Sequence, residues 1–271
     1  MSEIELKKYA PIHPALKKLI KFYWIIQGSN ELVFHGRLIP TNNIDLILNF
    51  SRPIQYRSQA KKDTFASAHF SGIQNNYRIM AQKGQLDVVG ISFHPTGFFP
   101  LIKVPLYEFA NHMFSMENIL PGFERKVERI GETASIPQRI FTLEETLLDM
   151  MDLDLLPGKS FDLLMNGFLP YADEINIYDY CKAHSIRQKT LERFFNKYIG
   201  TTPKAYLLIT KFQRAMKSLM RGDFDSLTQL GYSLNYYDQT HFINSFKSFS
   251  GKTPARQLKD SDLVFGLLKN Q

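Results

Sequence analysis

The feature that most constrains this chain is a pair of short helical patterns that occurs twice in its C-terminal part. The later copy runs from Leu227 to Leu258. Leu227, Leu230 and Leu234 recur at i, i+3 and i+7 and so share one face of a first helix. Asn235, one of the few non-glycine residues that tolerates a left-handed helix C-cap, stands at the turn. Phe242, Phe246 and Phe249 give the apolar face of a second helix, which stops at Gly251 ahead of Pro254. Gly231 falls where the two helices would cross closely. On the opposite face of the second helix lie Gln239, Thr240, His241 and Asn244, polar and rich in hydrogen-bonding groups, as a helix reading base edges in a major groove requires. The pattern predicts a helix-turn-helix.

The earlier copy begins with Ile175, Ile177, Tyr180 and Cys181, where Cys181 takes the place of Gly231. Ser185 stands at the turn, and Arg187 to Tyr198 forms the second helical pattern before Gly200-Thr201-Thr202-Pro203. Both copies end in F-x-x-x-x-G-x-x-P, as Phe195/Gly200/Pro203 and Phe246/Gly251/Pro254. A repeat that shares its ending is more specific than either half alone. Between the copies, Pro203–Met220 predicts one long helix, with Pro203 in its first turn and Tyr206, Leu207, Ile209, Phe212, Ala215, Met216 and Leu219 as apolar positions.

Charge follows the same division. Of the net +7, residues 158–271 hold 16 Lys and Arg against 10 Asp and Glu, a balance of +6, while residues 1–157 hold 17 against 16. An excess of positive charge on the helical part suits a phosphate-binding surface. The single cysteine rules out an intramolecular disulfide and points to a reducing, cytoplasmic setting. No apolar run is long enough to suggest a membrane span.

The repeated motifs, the Tyr206…Arg214-Ala215 stretch of the long helix and the block from Tyr236 to Phe242 resemble the DNA-binding domain of the AraC-type bacterial transcription regulators. Asn235 and Ser185 replace the usual turn glycine, and His184 replaces a usual leucine. The resemblance implies that double-stranded DNA is the partner and that one chain can read two successive major grooves. Mapped onto this sequence, it places Lys189, Glu192 and Arg193 at base-facing positions of the first motif. In the second motif it places Gln239, Thr240, His241 and Asn244 there. Arg193 would favour guanine, and Gln239 or Asn244 adenine. Arg187, Lys197, Lys211 and Lys247 are the candidates for phosphate contact.

Upstream, strand-like segments at Glu31–Leu38, Asp45–Phe50, Tyr56–Ser58, Phe65–Phe70, Tyr77–Ala81 and Gln85–Phe93 alternate with turn residues. Such spacing predicts a β-sandwich or barrel. The stretches Leu38–Phe50 and Val89–Leu101 resemble the sensor-like N-terminal domain of some AraC-type regulators, with Asn43 in place of a glycine. That resemblance implies a cupin-like barrel that takes a small-molecule effector of unnamed kind. Trp24, the only tryptophan, reads as core. His35, His69 and His94 are scattered and no H-x-H occurs, so neither a metal site nor another cofactor is expected. Ile136, Ile140, Leu143, Leu147 and Met150, spaced 4, 3, 4, 3, form a short apolar seam. It reads either as a helix packed on its own barrel or as the seam of a homodimer.

The expected class is therefore α+β. A cupin-like β-barrel or sandwich with accessory helices spans residues 1–152, a linker 153–160, and an all-α double helix-turn-helix domain 161–262. The expected function is a sequence-specific DNA-binding transcription regulator, not an enzyme, modulated at its N-terminal domain. The rival reading is a cupin-type enzyme with an accessory helical domain.

Overall fold

A computed structural model describes residues 4–28, 33–58, 61–172, 174–260 and 264–265. Its strands are β1 (Ile4–Tyr9), β2 (Ile20–Gly28), β3 (Val33–Leu38), β4 (Asp45–Asn49), β5 (Ile54–Arg57), β6 (Lys62–Phe65), β7 (His69–Ser71), β8 (Arg78–Lys83), β9 (Leu86–Phe93), β10 (Met113–Ser115) and β11 (Val264–Phe265). They form a six-stranded sheet in the order β1-β2-β9-β4-β7-β10 and a five-stranded sheet in the order β11-β3-β8-β5-β6.

The apolar run of β2 follows from its place between layers. Trp24 and Ile26 face the second sheet, where they join Ile47, Ile54, Tyr56, Leu86 and Val88. Tyr23 and Ile25 face the other way, with Leu46, Leu48, Val89, Ile91 and Phe93, toward helices. A strand covered on both faces reads as continuous apolar sequence rather than alternating sequence. Gly90 lies opposite Trp24 in the ladder, and a Cβ there would fall 1.8 Å from the indole. Only glycine lets the ring lie flat across β9. Trp24 is core, as the sequence suggests.

The helices on the outer side of the six-stranded sheet are Phe123–Gly131 and Ile136–Met150. Ile140, Leu143 and Leu147 are buried in the same core as Phe93 and Val127, while Ile136 and Met150 are half-buried at the ends. The 4, 3, 4, 3 seam is thus this domain's own core. On the same helix the buried Glu144 carboxylate accepts from Ile12 N–H (2.7 Å), His13 N–H (2.8 Å) and the Tyr23 hydroxyl (3.1 Å). Burial first, and then the Glu144 charge, push the Tyr23 pKa up.

His69 is fully buried between the sheets. Its ring stacks on Phe65 at 4.6 Å, and Nε2 lies 2.8 Å from the Tyr56 hydroxyl. Burial pushes its pKa down to about 4. The unfolded chain, with an ordinary histidine, takes up this proton first as pH falls. The stabilisation is therefore whole above about pH 6.5 and is lost as pH drops toward 4, by up to about 3 kcal/mol. Thermal melts at pH 7 and 4.5 should show a larger loss for the wild type than for His69→Gln. Equal losses would mean that His69 does not report the pH.

The strands differ from the sequence reading in several places. β1 and β10 were not expected, and the segment expected at Phe65–Phe70 divides into β6 and β7 around a bend. β1 mixes Glu5, Lys7 and Lys8 into an edge strand with one neighbour, so it lacks the apolar signature of the central strands. Within the stretch read as linker, Leu153–Leu155 form a short 3₁₀ turn capped by Asp152, and a helix begins at Lys159.

The apolar cores do not follow the chain's two halves. The first motif has its own cluster, with Phe168, Cys181, Leu191, Phe194, Phe195 and Tyr206. The second motif contributes Leu230, Tyr236, Phe242, Phe246 and Phe249 to the large core that also holds the six-stranded sheet's Leu46, Val89 and Phe93. Polar contacts cross the same junction. Arg37 on β3 donates to the Ser250 carbonyl (2.8 Å) and to Gln257 Oε1 (2.9 Å). Asn42 donates to the Tyr206 carbonyl (3.1 Å) and Thr210 Oγ1 (2.7 Å), and Gln213 to the Pro40 carbonyl (2.8 Å).

Candidate nucleic-acid interface

Each motif is built from the same local devices. In the first, Asn176 caps helix Ile177–Ala183 by accepting from Tyr178 and Asp179 N–H. Ser185 turns the chain at φ +52°, and Ile186 N–H donates to the Cys181 carbonyl at 3.0 Å. In the second, Ser226 caps helix Leu227–Ser233, Asn235 turns at φ +57°, and Tyr236 N–H donates to the Gly231 carbonyl at 3.1 Å. The left-handed turn expected of Asn235 is present, and Ser185 adopts it too. Gly231 matters for the close crossing: a Cβ there would meet Phe242 Cβ at 3.2 Å.

The shared endings have a physical reading. Gly200 (φ +86°) and Gly251 (φ +78°) are left-handed C-caps. Thr202 and Thr253 then cap the next helix through their hydroxyls, and Pro203 and Pro254 occupy its first turn. The first of these next helices is Pro203–Arg221, which joins the two motifs.

The second helices are Gln188–Phe194, continued by a wider turn over Phe195–Ile199, and Gln239–Ser250. Phe195, Gly200 and Pro203 align with Phe246, Gly251 and Pro254 at an offset of 51, whereas the turn residues Ser185 and Asn235 are offset by 50. The second turn is therefore one residue longer: Tyr236 matches Ile186 and the N-cap Asp238 matches the N-cap Arg187, which leaves Tyr237 as the extra residue, and Asp238 accepts from His241 N–H at 2.7 Å. The offset pairs Lys189 with Thr240, Arg193 with Asn244, and Gln188 with Gln239. Gln188, which the motif reading does not include, is exposed at the position that Gln239 holds in the second motif. The offset between the shared endings was the signal that could have found it.

Lys189, Arg193, Gln239, Thr240, His241 and Asn244 are all exposed, on the faces opposite Leu191, Phe194, Phe242 and Phe246. Glu192 is only half-exposed and accepts from Gln188 Nε2 at 2.9 Å, so its carboxylate braces its own helix. Arg187 is exposed at the start of the first motif's second helix. Two of the phosphate candidates are already engaged. Lys197 Nζ lies over the rings of Tyr198 (4.8 Å) and Phe99 (5.3 Å), which ties it to the N-terminal domain. Lys211 donates to the Asn235 carbonyl at 3.2 Å and lies over Tyr236, and burial lowers its pKa. It braces the left-handed turn of the second motif.

Lys247 and Asn244 form one wall of a cleft of about 550 Å³, with Ser248 and Gly251. Ser58, Asn76, Tyr77 and Arg78 of the N-terminal domain line the other side. A Cβ on Gly251 would come within 2.4 Å of the Tyr77 ring, so the two parts meet closely at the end of this helix. Nothing local in the sequence signals this wall, because its two sides lie far apart in the chain. Among the described residues, no three His, Cys, Asp or Glu side chains group as metal ligands, and no helix is long and apolar enough to cross a membrane.

Comparison with known families agrees with this construction. Residues 180–260 match a family model described as a helix-turn-helix domain, and residues 7–115 match one described as a domain of unknown function, DUF6597. An uncharacterized HTH-type transcriptional regulator of Escherichia coli, YidL, is 36% identical over 72 residues, which are 27% of this chain and 24% of that protein. Another from Bacillus subtilis, YdeC, is 20% identical over 164 residues, 56% of each chain. The chain thus spans about half or less of the length of these curated relatives. Among solved structures, ToxT from Vibrio cholerae aligns over 95% of this chain and 98% of its own, at 8% identity and a TM-score of 0.47. The C-terminal part is a helix-turn-helix domain. Its two motifs joined by one long helix have the arrangement that the resemblance to AraC-type regulators implies, and residues 7–115 are similar to the DUF6597 domain.

Proposed function

We propose that this chain is a sequence-specific DNA-binding transcription regulator. The observation that carries the reading is the repeated motif itself: two second helices, each with an exposed polar face over a phenylalanine-rich buried one. Lys189, Arg193 and Gln188 would read bases in one groove, and Gln239, Thr240, His241 and Asn244 in the next. Arg187 and Lys247 would meet phosphate. Lys197 and Lys211, held against aromatic rings, would serve the fold rather than the backbone of DNA.

Modulation at the N-terminal domain belongs to the same proposal. Only about 30 Å³ is open between the sheets beside Trp24, Met80 and Leu86, room for about one water. A larger effector would need the sheets to part, or would sit in the cleft beside Asn244 and Lys247, where the second motif would sense it directly. A cytoplasmic location fits the reading, and a homodimer would have to use a surface other than the Ile136–Met150 seam.

Binding of the full chain to duplex DNA over a range of salt tests the proposal. Several phosphate contacts give a log–log slope of several units. Arg193→Ala should cost about 1–3 kcal/mol on the preferred site and relax selection at one base pair. A flat salt response, or an Arg193→Ala variant that selects the same sequences as the wild type, would count against the reading at its two levels, DNA binding and base readout.

A further inference from the structure

The five-stranded sheet turns one face away from the barrel. Its register sets His35, Ala81, Gln55 and Thr64 in one outward row and Arg37, Ile79, Arg57 and Lys62 in the next. Residues between them, such as Tyr56 and Gln82, point inward and are buried. Over the outward rows lies an open concavity of about 490 Å³, floored by Ala81 and Ile79 and edged by Arg52, Arg57, Lys62 and Lys83. Among the described residues, no Asp or Glu lines it and none of these four cations forms an ion pair. Their neighbours differ: Lys61 and Arg78 both pair with Asp63. Arg57 and Lys62 even stand directly opposite each other across the ladder, where like charges destabilise a sheet. A concentration of positive charge that works against folding calls for an anionic partner.

The position of this face selects the partner. Arg37, in the same row as Arg57 and Lys62, reaches under the second motif to Ser250 and Gln257. Ser58 follows Arg57, Arg78 precedes Ile79, and both line the cleft whose other wall is Asn244 and Lys247. The cations therefore begin one residue beyond that cleft. A duplex laid against the Gln239–Asn244 face would run its backbone past the end of that helix, over the cleft and onto this sheet. The apolar floor and the long, exposed donors suit a row of phosphates better than one small anion, for which buried, fixed donors would be expected.

We propose that the outer face of the five-stranded sheet contacts the phosphates of duplex DNA flanking the site held by the second motif. This rests on the DNA-binding reading above. The experiment uses the full chain and a variant with Arg57→Gln, Lys62→Gln and Lys83→Gln. All three side chains are exposed, and their removal relieves repulsion. Each protein is titrated with a short duplex that only the two motifs can cover and with one extended by about two helical turns, or roughly 20 base pairs, beyond the second motif. On the extended duplex the variant should bind at least about tenfold more weakly, with a salt slope smaller by about two to three units. On the short duplex the two proteins should agree. Equal affinity and slope on the extended duplex would overturn the proposal and leave the regulator reading intact, as would tighter binding by the variant. If the wild type binds neither duplex, both fall together. A melting temperature raised by millimolar inorganic phosphate in the wild type alone, with DNA binding equal in both proteins, would make the face a small-anion site instead and overturn the proposal.

Discussion

Leu143→Glu is expected to unfold the N-terminal domain rather than to split an oligomer. Leu143 is 1% exposed, at the centre of the Ile136–Met150 helix, between Ile140 and Leu147 and in the core shared with the six-stranded sheet. A carboxylate placed there has no partner and no water, and an uncompensated buried charge costs about 3–5 kcal/mol, beyond the packing that is lost. For a chain of this size that lowers the melting temperature by about 10 °C or more. Trp24, buried between the sheets, reports the transition by its fluorescence. Phe141→Glu is the control: Phe141 is 58% exposed on the opposite side of the same helix, so its effect should stay within about 0.5 kcal/mol. A Leu143→Glu protein that melts with the wild type would remove this helix from the core.

That helix shows where sequence reading stops. The 4, 3, 4, 3 spacing is legible, but a seam buried against its own sheet and a seam buried against a second copy write the same letters. Only Glu144 tips the balance. It is a carboxylate beside the seam that three donors from Ile12, His13 and Tyr23 satisfy, and those donors lie more than a hundred residues away in the chain. The motifs were legible for the opposite reason. Turn, cap and crossing are decided within a few residues, so Asn235, Gly251, Pro254 and Gly231 each declare their roles locally.

The same distinction separates the candidate contacts. Lys197 and Lys211 read as phosphate ligands because charge on a helix is all the sequence displays. What the structure adds is Phe99, across the domain junction from Lys197, and the Asn235 carbonyl that Lys211 meets at the turn. Gln188 was hidden by one extra residue in the second turn. For Arg37 the sequence offers Asp45 as a loop-bracing partner, and nothing local points to Ser250 and Gln257, over two hundred residues downstream.

The division of the core leads to the other large effect. Phe246 and Phe195 are counterparts at the 51-residue offset, both fully buried, and truncating either to alanine should cost about 3–5 kcal/mol. They should not be felt in the same place. Phe246 packs on Phe212 at 5.2 Å within the core that continues into the six-stranded sheet, and Arg37 binds the end of its helix. Phe195 packs on Phe168 at 5.1 Å and Tyr206 at 5.6 Å in the first motif's separate cluster, which meets the N-terminal domain at its edge, through Tyr198 on Phe99, Gly200 beside Leu106 and Asn42 on the Tyr206 carbonyl. Phe246→Ala should therefore move the Trp24 fluorescence transition to lower temperature, although the tryptophan is far from it in sequence. Phe195→Ala should move that transition much less, while far-UV circular dichroism records an earlier loss of helix. Equal shifts of the Trp24 transition in the two variants would mean that the chain melts as one unit. A Trp24 transition unmoved by Phe246→Ala would mean that the second motif is stable apart from the barrel, and that this shared core does not couple the two.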